Sequence, residues 1–141
     1  MATCADDPAA VVRRLIEATN RHDLTSMVAC FAPDYRNETP VHPAHGFVGS
    51  EQVWRNWVQI FAALPDLQAR VLDTAVVGDV VWTEQEHHGT RADGTRHVMR
   101  GVVIFRVSVG MVTQARFYLE PLDAGSDRVD EAVRRHVTGA T

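Results

Sequence analysis

Apolar residues recur at helical spacing in the first half of the chain and alternate with polar ones in the second half. Val11, Val12, Leu15, Ile16 and Thr19 form one stripe, with Arg13, Arg14 and Glu17 opposite, and Asp6, Asp7 and Pro8 precede them as a helix-start signal. The spacing predicts a helix to Asn20, a break over Asn20–Asp23, and a short second helix carrying Leu24, Met27, Val28 and Phe31 that stops at Pro33. The segment from Arg36 to Gly49 holds Pro40, Pro43, Gly46, His42 and His45 and reads as an irregular cover. A third helix is predicted from a Ser50 cap, with Val53, Trp54, Trp57, Ile60, Phe61 and Leu64 on its apolar side and Pro65 past its end.

From Leu67 the period is that of strands. Val71–Val77, Val80–His88, His97–Val107 and Met111–Leu122 are predicted strands, separated by turns at Gly78-Asp79, Ala92–Thr95 and Ser108–Gly110. Short turns make the four an antiparallel meander, and the helices that precede it must pack on one face. The expected architecture is α+β, with N-terminal helices packed in a curved four-stranded antiparallel sheet that forms a cone-shaped roll around a central pocket. Residues 1–7 are read as a tail, 8–123 as the domain, and 124–141 as a second tail with a short helix over Val129–Val137 capped by Asp127.

Alternation along the last strand places Gln114, Arg116, Tyr118 and Glu120 on one face, and Ala115, Phe117 and Leu119 on the other. The polar row is read as a pocket wall. On the second strand Trp82, Glu84, Glu86 and His88 share a face, with Thr83, Gln85 and His87 opposite, so Glu84 is expected to meet Arg116, Tyr118 and Glu120. Two carboxylates in an apolar cavity acquire unequal proton affinities, which suits general acid/base work. A buried Glu84–Arg116 ion pair that fixes strand register is the competing reading. Trp54, Trp57, Trp82, Tyr35, Asn56, His42 and His88 are the expected substrate-binding groups, His42 acting as a lid.

Composition narrows the partners. A net charge of −4, with every basic residue other than histidine an Arg, argues against a nucleic-acid surface. The N-terminus lacks a secretion signal, no apolar run reaches membrane length, and Cys4 and Cys30 do not suggest a disulfide framework; a cytoplasmic location is the expectation. No spacing of His, Cys and carboxylates suggests a metal site, and no phosphate loop or serine-hydrolase elbow is present, so neither a metal nor a cofactor is expected.

The ordered pieces Asn20-x-His22-Asp23-Leu24, Phe31-Ala-Pro-Asp34-Tyr35, Gly46-Phe-Val-Gly49, Leu64-Pro-Asp66-Leu67, the Gly89-Thr90 and Asp93-Gly94 turns and Arg116-Phe-Tyr118-Leu-Glu120-Pro121 resemble the SnoaL-like branch of the nuclear-transport-factor-two-like, or cystatin-like cone, superfamily. The resemblance runs from about Ala9 to Asp123. It implies a cofactor-independent cyclase or isomerase acting on a small, apolar, oxygenated molecule of polyketide or ketone type. Family cyclases carry an acid/base group on the last long strand, which here falls on Glu120, a Glu followed by Pro where those enzymes have Asp. Arg116 would then orient it or stabilise an oxyanion, and Tyr118 would donate to a substrate oxygen. Hydrolase or dehydratase chemistry, or a non-catalytic binding or dimerisation module, are the alternatives the fold allows. A homodimer is also implied, to cover a sheet face expected to carry Phe117 and Leu119.

Overall fold

The computed structural model describes residues 7–139. Helix α1 (Pro8–Asn20) starts where Asp7 accepts the Ala9 N–H at 3.1 Å and places Pro8 in the first turn, where its missing N–H costs nothing. Val11, Val12, Leu15, Ala18 and Thr19 are its buried stripe, and the Thr19 hydroxyl returns to the Leu15 carbonyl at 2.7 Å. Asp23 caps α2 (Leu24–Ala29) through the Ser26 N–H and hydroxyl, and these bonds hold its carboxyl below the usual carboxylate range.

The sheet has six strands in the order β2-β1-β6-β5-β4-β3: β1 (Phe31–Glu38), β2 (Phe47–Val48), β3 (Gln68–Val77), β4 (Val80–Thr90), β5 (Arg96–Ser108) and β6 (Met111–Pro121). The four-strand expectation holds for the meander β3–β6 and misses two strands. Phe31, expected to end the second helix, opens β1, and β1 pairs parallel with β6 while β2 pairs antiparallel with β1. Pro33 lies within the register shift between Phe31 and Arg36, so the strand tolerates a residue that cannot donate to a ladder. Helix α3 (Ser50–Ala63) is entered from Gly49, whose φ of 106° favours glycine, and Ser50 is its first residue rather than its cap. Helix α4 (Val129–Thr138) forms near its expected bounds; Asp127, expected to cap it, instead pairs with Arg135. Cys4 lies outside the described residues, and Cys30 is a buried free thiol.

Helices α1 and α3 pack against the sheet on one face. The Asn20–Asp23 break has a specific task there. The Asn20 amide both donates to and accepts from the Ala69 backbone, at 2.9 and 2.7 Å, completing the free side of edge strand β3. The His22 ring bonds the Leu67 carbonyl at 2.7 Å and stacks on Phe61 with centroids 4.1 Å apart, tying the break to α3. At the same end Asp66 accepts the Thr90 N–H at 2.8 Å, which lowers its proton affinity and holds the α3–β3 connection beside β4. Among the described residues no helix is long and apolar enough to cross a membrane.

Candidate functional site

Cross-strand register decides which face of the sheet meets the helices. Ala115 pairs with Phe105 and then Val81, and Phe117 with Val103 and then Thr83, all on the covered side. Thr83, Gln85 and His87 therefore point inward, buried beneath the helices. The expected face assignment is reversed on β4 and on β6 as far as Leu119, while Glu120 at the end of β6 reaches the cavity as expected. Arg116, Tyr118, Glu84, Trp82 and His88 occupy the opposite face and do not line the cavity; Trp82 is 45% exposed. Charge is the physical reason: Glu86 on that face meets Arg100, and Arg70 at 3.7 Å, whose guanidinium groups stay more than half exposed, so the charges keep much of their hydration. Arg100 lowers the proton affinity of Glu86. Trp54, 41% exposed, also lies outside the cavity lining, because α3 turns Val53, Trp57 and Ile60 inward instead.

Between α3, the meander and the β1–β2 end is a cavity of ≈ 960 Å³. Its walls are mostly apolar, with Phe31, Trp57, Ile60, Leu67, Phe117 and Leu119 among them. Of the expected site residues, Glu120, Tyr35, Trp57, Asn56 and His42 do line it. His42 Nε2 meets Glu120 Oε1 at 2.8 Å and stacks against His45 at 5.2 Å, forming a half-exposed clasp at the rim. A polar contact so accessible to water adds little stability.

The cavity lining includes a buried titratable residue that the sequence reading assigned to the wrong face. His87 is 8% exposed and heads a linear chain of hydrogen bonds along β4. The Thr83 hydroxyl has one proton, which it donates to the Val103 carbonyl at 2.8 Å, so toward Gln85 it can only accept. The Gln85 amide nitrogen donates to it at 2.9 Å, which turns the Gln85 carbonyl toward His87 Nε2, 2.8 Å away. That nitrogen must carry the proton. Burial, with His97 and His88 nearby, lowers the His87 pKa to about 4, so near neutral pH the ring is uncharged and Nδ1 has a free lone pair. Nδ1 makes no protein hydrogen bond, and among the described residues no sealed side-chain nitrogen or oxygen lacks a partner, so Nδ1 has open space beside it on a residue that lines the cavity.

Two amides supply the opposite polarity. The Tyr35 hydroxyl, kept protonated by burial, donates to Asn37 Oδ1 at 2.8 Å and leaves the Asn37 NH₂ facing the cavity. Asn56 Oδ1 accepts from Gln52 at 2.8 Å, and Arg55 in turn holds the Gln52 carbonyl, so the Asn56 NH₂ is likewise unengaged. The arrangement is one fixed acceptor and two fixed donors in an apolar chamber. Alternation of Thr83, Gln85 and His87, uncharged polar residues between charged ones, was the available signal for the inward face.

The model for the SnoaL-like domain matches residues 12–115. The chain belongs to the SnoaL-like domain family. This SnoaL-like chain superposes on IdmH, a candidate polyketide cyclase from Streptomyces antibioticus, with TM-score 0.71 and 24% identity, over 80% of this chain and 91% of that one. AclR, a candidate hydroxylase from Streptomyces galilaeus, gives 0.74 at 17% identity, over 95% and 97%. A nuclear-transport-factor-two-like protein of unknown function from Cytophaga hutchinsonii gives 0.64 at 14% identity, over 85% and 95%. These likenesses establish the α+β cone fold. No curated protein matches the sequence significantly.

Proposed function

We propose that this SnoaL-like protein is a cofactor-independent acid/base enzyme of cyclase or isomerase type, acting on a small, largely apolar carbonyl compound held in the cone. The observation that carries the reading is the locked His87 tautomer, a neutral base lining a mostly apolar cavity that Asn37 and Asn56 also line. In the proposed step Nδ1 takes a proton from a carbon beside the carbonyl. The electron pair of that C–H bond forms the enolate, whose oxygen accepts from the Asn37 NH₂, while Gln85 keeps the Nε2 proton of the new imidazolium. Returning the proton to a different carbon isomerises the substrate; attack of the enolate on a second carbonyl closes a ring, and the proton goes to the new alkoxide. The family resemblance and the IdmH likeness favour this class, and in this reading Glu120 and His42, hydrogen-bonded to each other at the rim, exchange protons with solvent.

Deuterium exchange at the α-carbons of 2-tetralone in D₂O, followed by NMR, tests the step without knowledge of the physiological substrate. Wild type is expected to accelerate exchange, and His87→Gln to lose about 10²-fold or more of the enzyme's excess over buffer, in the range of general-base contributions. Exchange at the buffer rate in wild type would remove proton abstraction and leave a binding module.

We further propose a homodimer through the outer sheet face. The apolar residues that this face shares are Trp82, Val102, Ile104 and Tyr118, not Phe117 and Leu119, which line the cavity. Sedimentation of Trp82→Glu is expected to give monomer where wild type gives dimer, since the carboxylate replaces the largest apolar side chain of the contact and must be desolvated there. An unchanged sedimentation profile would move the interface elsewhere.

A further inference from the structure

Resting on the reading of the cone as a ligand site, we propose that its mouth carries a carboxylate-binding fork, formed by Arg91 with His97, so that the ligand is an apolar molecule ending in a carboxylate. Arg91 lies just past β4 and lines the cavity. Its guanidinium is held in place by neutral acceptors: Nη1 donates to Thr95 Oγ1 at 3.2 Å and to the Arg96 carbonyl at 2.7 Å, and Nη2 donates to His97 Nδ1 at 3.2 Å. Nε–H and the second Nη2 proton have no acceptor among the described residues, and these donors form one edge of the fork that a planar carboxylate fits in bidentate fashion.

The surrounding charges leave that edge available. Asp93, the nearby acid, directs its Oδ1 to the Thr95 N–H and hydroxyl, at 3.0 and 2.7 Å, and makes no ion pair with Arg91. Glu120, the carboxylate of the cavity lining, is engaged by His42 at 2.8 Å, with His45 stacked behind. His97 adds to the preference for an anion. Because its Nδ1 accepts from Arg91, its proton sits on Nε2, which has no protein partner and stands as a second donor. Burial and the adjacent Arg91 charge keep this ring neutral near pH 7, so His97 recognises an anion as a hydrogen-bond donor. A ligand whose carboxylate rests here shares one cavity with the apolar side chains of Leu64, Ile60 and Trp57 and with His87.

Calorimetric titration with 2-naphthylacetate and its neutral isostere 2-naphthylacetamide tests the fork. Wild type is expected to bind the carboxylate about tenfold more tightly than the amide. Arg91→Gln is expected to abolish that preference while leaving amide affinity unchanged, and Arg91→Lys to restore only part of it, because a point charge replaces the planar fork. Equal affinities in wild type, or a preference that survives Arg91→Gln, would overturn the fork and leave the ketone-exchange result untouched. Binding of neither probe would overturn the cone as a site for such ligands and the fork with it.

Discussion

The free energy of unfolding is expected to fall by about 3 kcal/mol between pH 7 and pH 4 through His87, and most of that fall is expected to vanish in His87→Gln. Inside the fold the ring is neutral, with its pKa lowered from 6.5 to about 4 by burial first and by His97 and His88 second. In the unfolded chain the ring protonates as pH drops below about 6.5, whereas the native ring resists protonation until about pH 4. The unfolded state therefore binds more protons through this window, and native stability is lost as pH falls through it. At about 1.4 kcal/mol per pH unit the interval gives the stated loss, which levels off once the native ring is itself protonated. His97, also depressed, adds a smaller fall in the same direction.

Depressed carboxylates do not imitate this signature. Asp23, Asp66, Asp93 and Glu86 are all held below their ordinary values by hydrogen bonds or Arg neighbours, so their stabilisation is lost mainly at lower pH. Urea unfolding of wild type and His87→Gln at half-unit steps from pH 7.5 to pH 4 separates the two windows. Parallel curves would mean that His87 is hydrated or charged in the native state, and the locked acceptor at the base of the cone would have to be abandoned. Convergence of the curves toward low pH would support it.

Gly101→Ala is expected to destabilise the fold by roughly 3 kcal/mol or more, combining overpacking with backbone strain. Gly101 sits in β5 with φ 154°, opposite Leu119 of β6 and Gln85 of β4. A Cβ built there meets the Tyr118 carbonyl oxygen at 2.1 Å, a backbone atom that cannot rotate away. Either β5 and β6 separate or Gly101 changes its dihedrals, and both disturb β5 where it pairs with Gln85. Gly78→Ala is the appropriate control: its φ of 59° is strained for Ala, yet nothing lies within 4 Å of the added atom. That variant is expected to lose about 1–2 kcal/mol, the cost of the left-handed conformation alone. Thermal melts should separate the two variants by several degrees. Equal melting points would show that β5 and β6 accommodate the Cβ without cost.

Legibility of this molecule from its sequence followed the range of the interaction concerned. Local signals were sufficient for α1, whose cap, first-turn Pro and apolar stripe act within a few residues of one another, and for the meander β3–β6, whose turns and alternation specify pairing between neighbours. The Asn20–Asp23 break was visible, but its purpose was not: Asn20 answers the backbone of Ala69, 49 residues away. β1 was missed for the same reason. Its residues around Pro33 have no local strand pattern, and the segment is extended because β6 offers a parallel edge that only the assembled sheet contains.

The candidate site shows the limit most clearly. A period of two along β4, and along β6 as far as Leu119, sorted the side chains into two sets and left the sign open, since alternation is symmetric between faces; Glu120 at the end of β6 reaches the cavity from the other set. Packing of α1 and α3 broke the symmetry, burying the face whose polar residues can satisfy one another: Thr83 through Val103, Gln85 through Thr83, and His87 through Gln85. The Glu84, Glu86 and Arg116 face carries full charges, whose burial under the helices would cost far more than that of uncharged polar groups, and it remained on the outer side of the sheet. The sequence by itself determined the helices, the meander, the family and the alternation. Tertiary structure alone decided which row became the lining of the cone, because the cost of desolvating a charge is set by what lies against it and not by its neighbours in the chain.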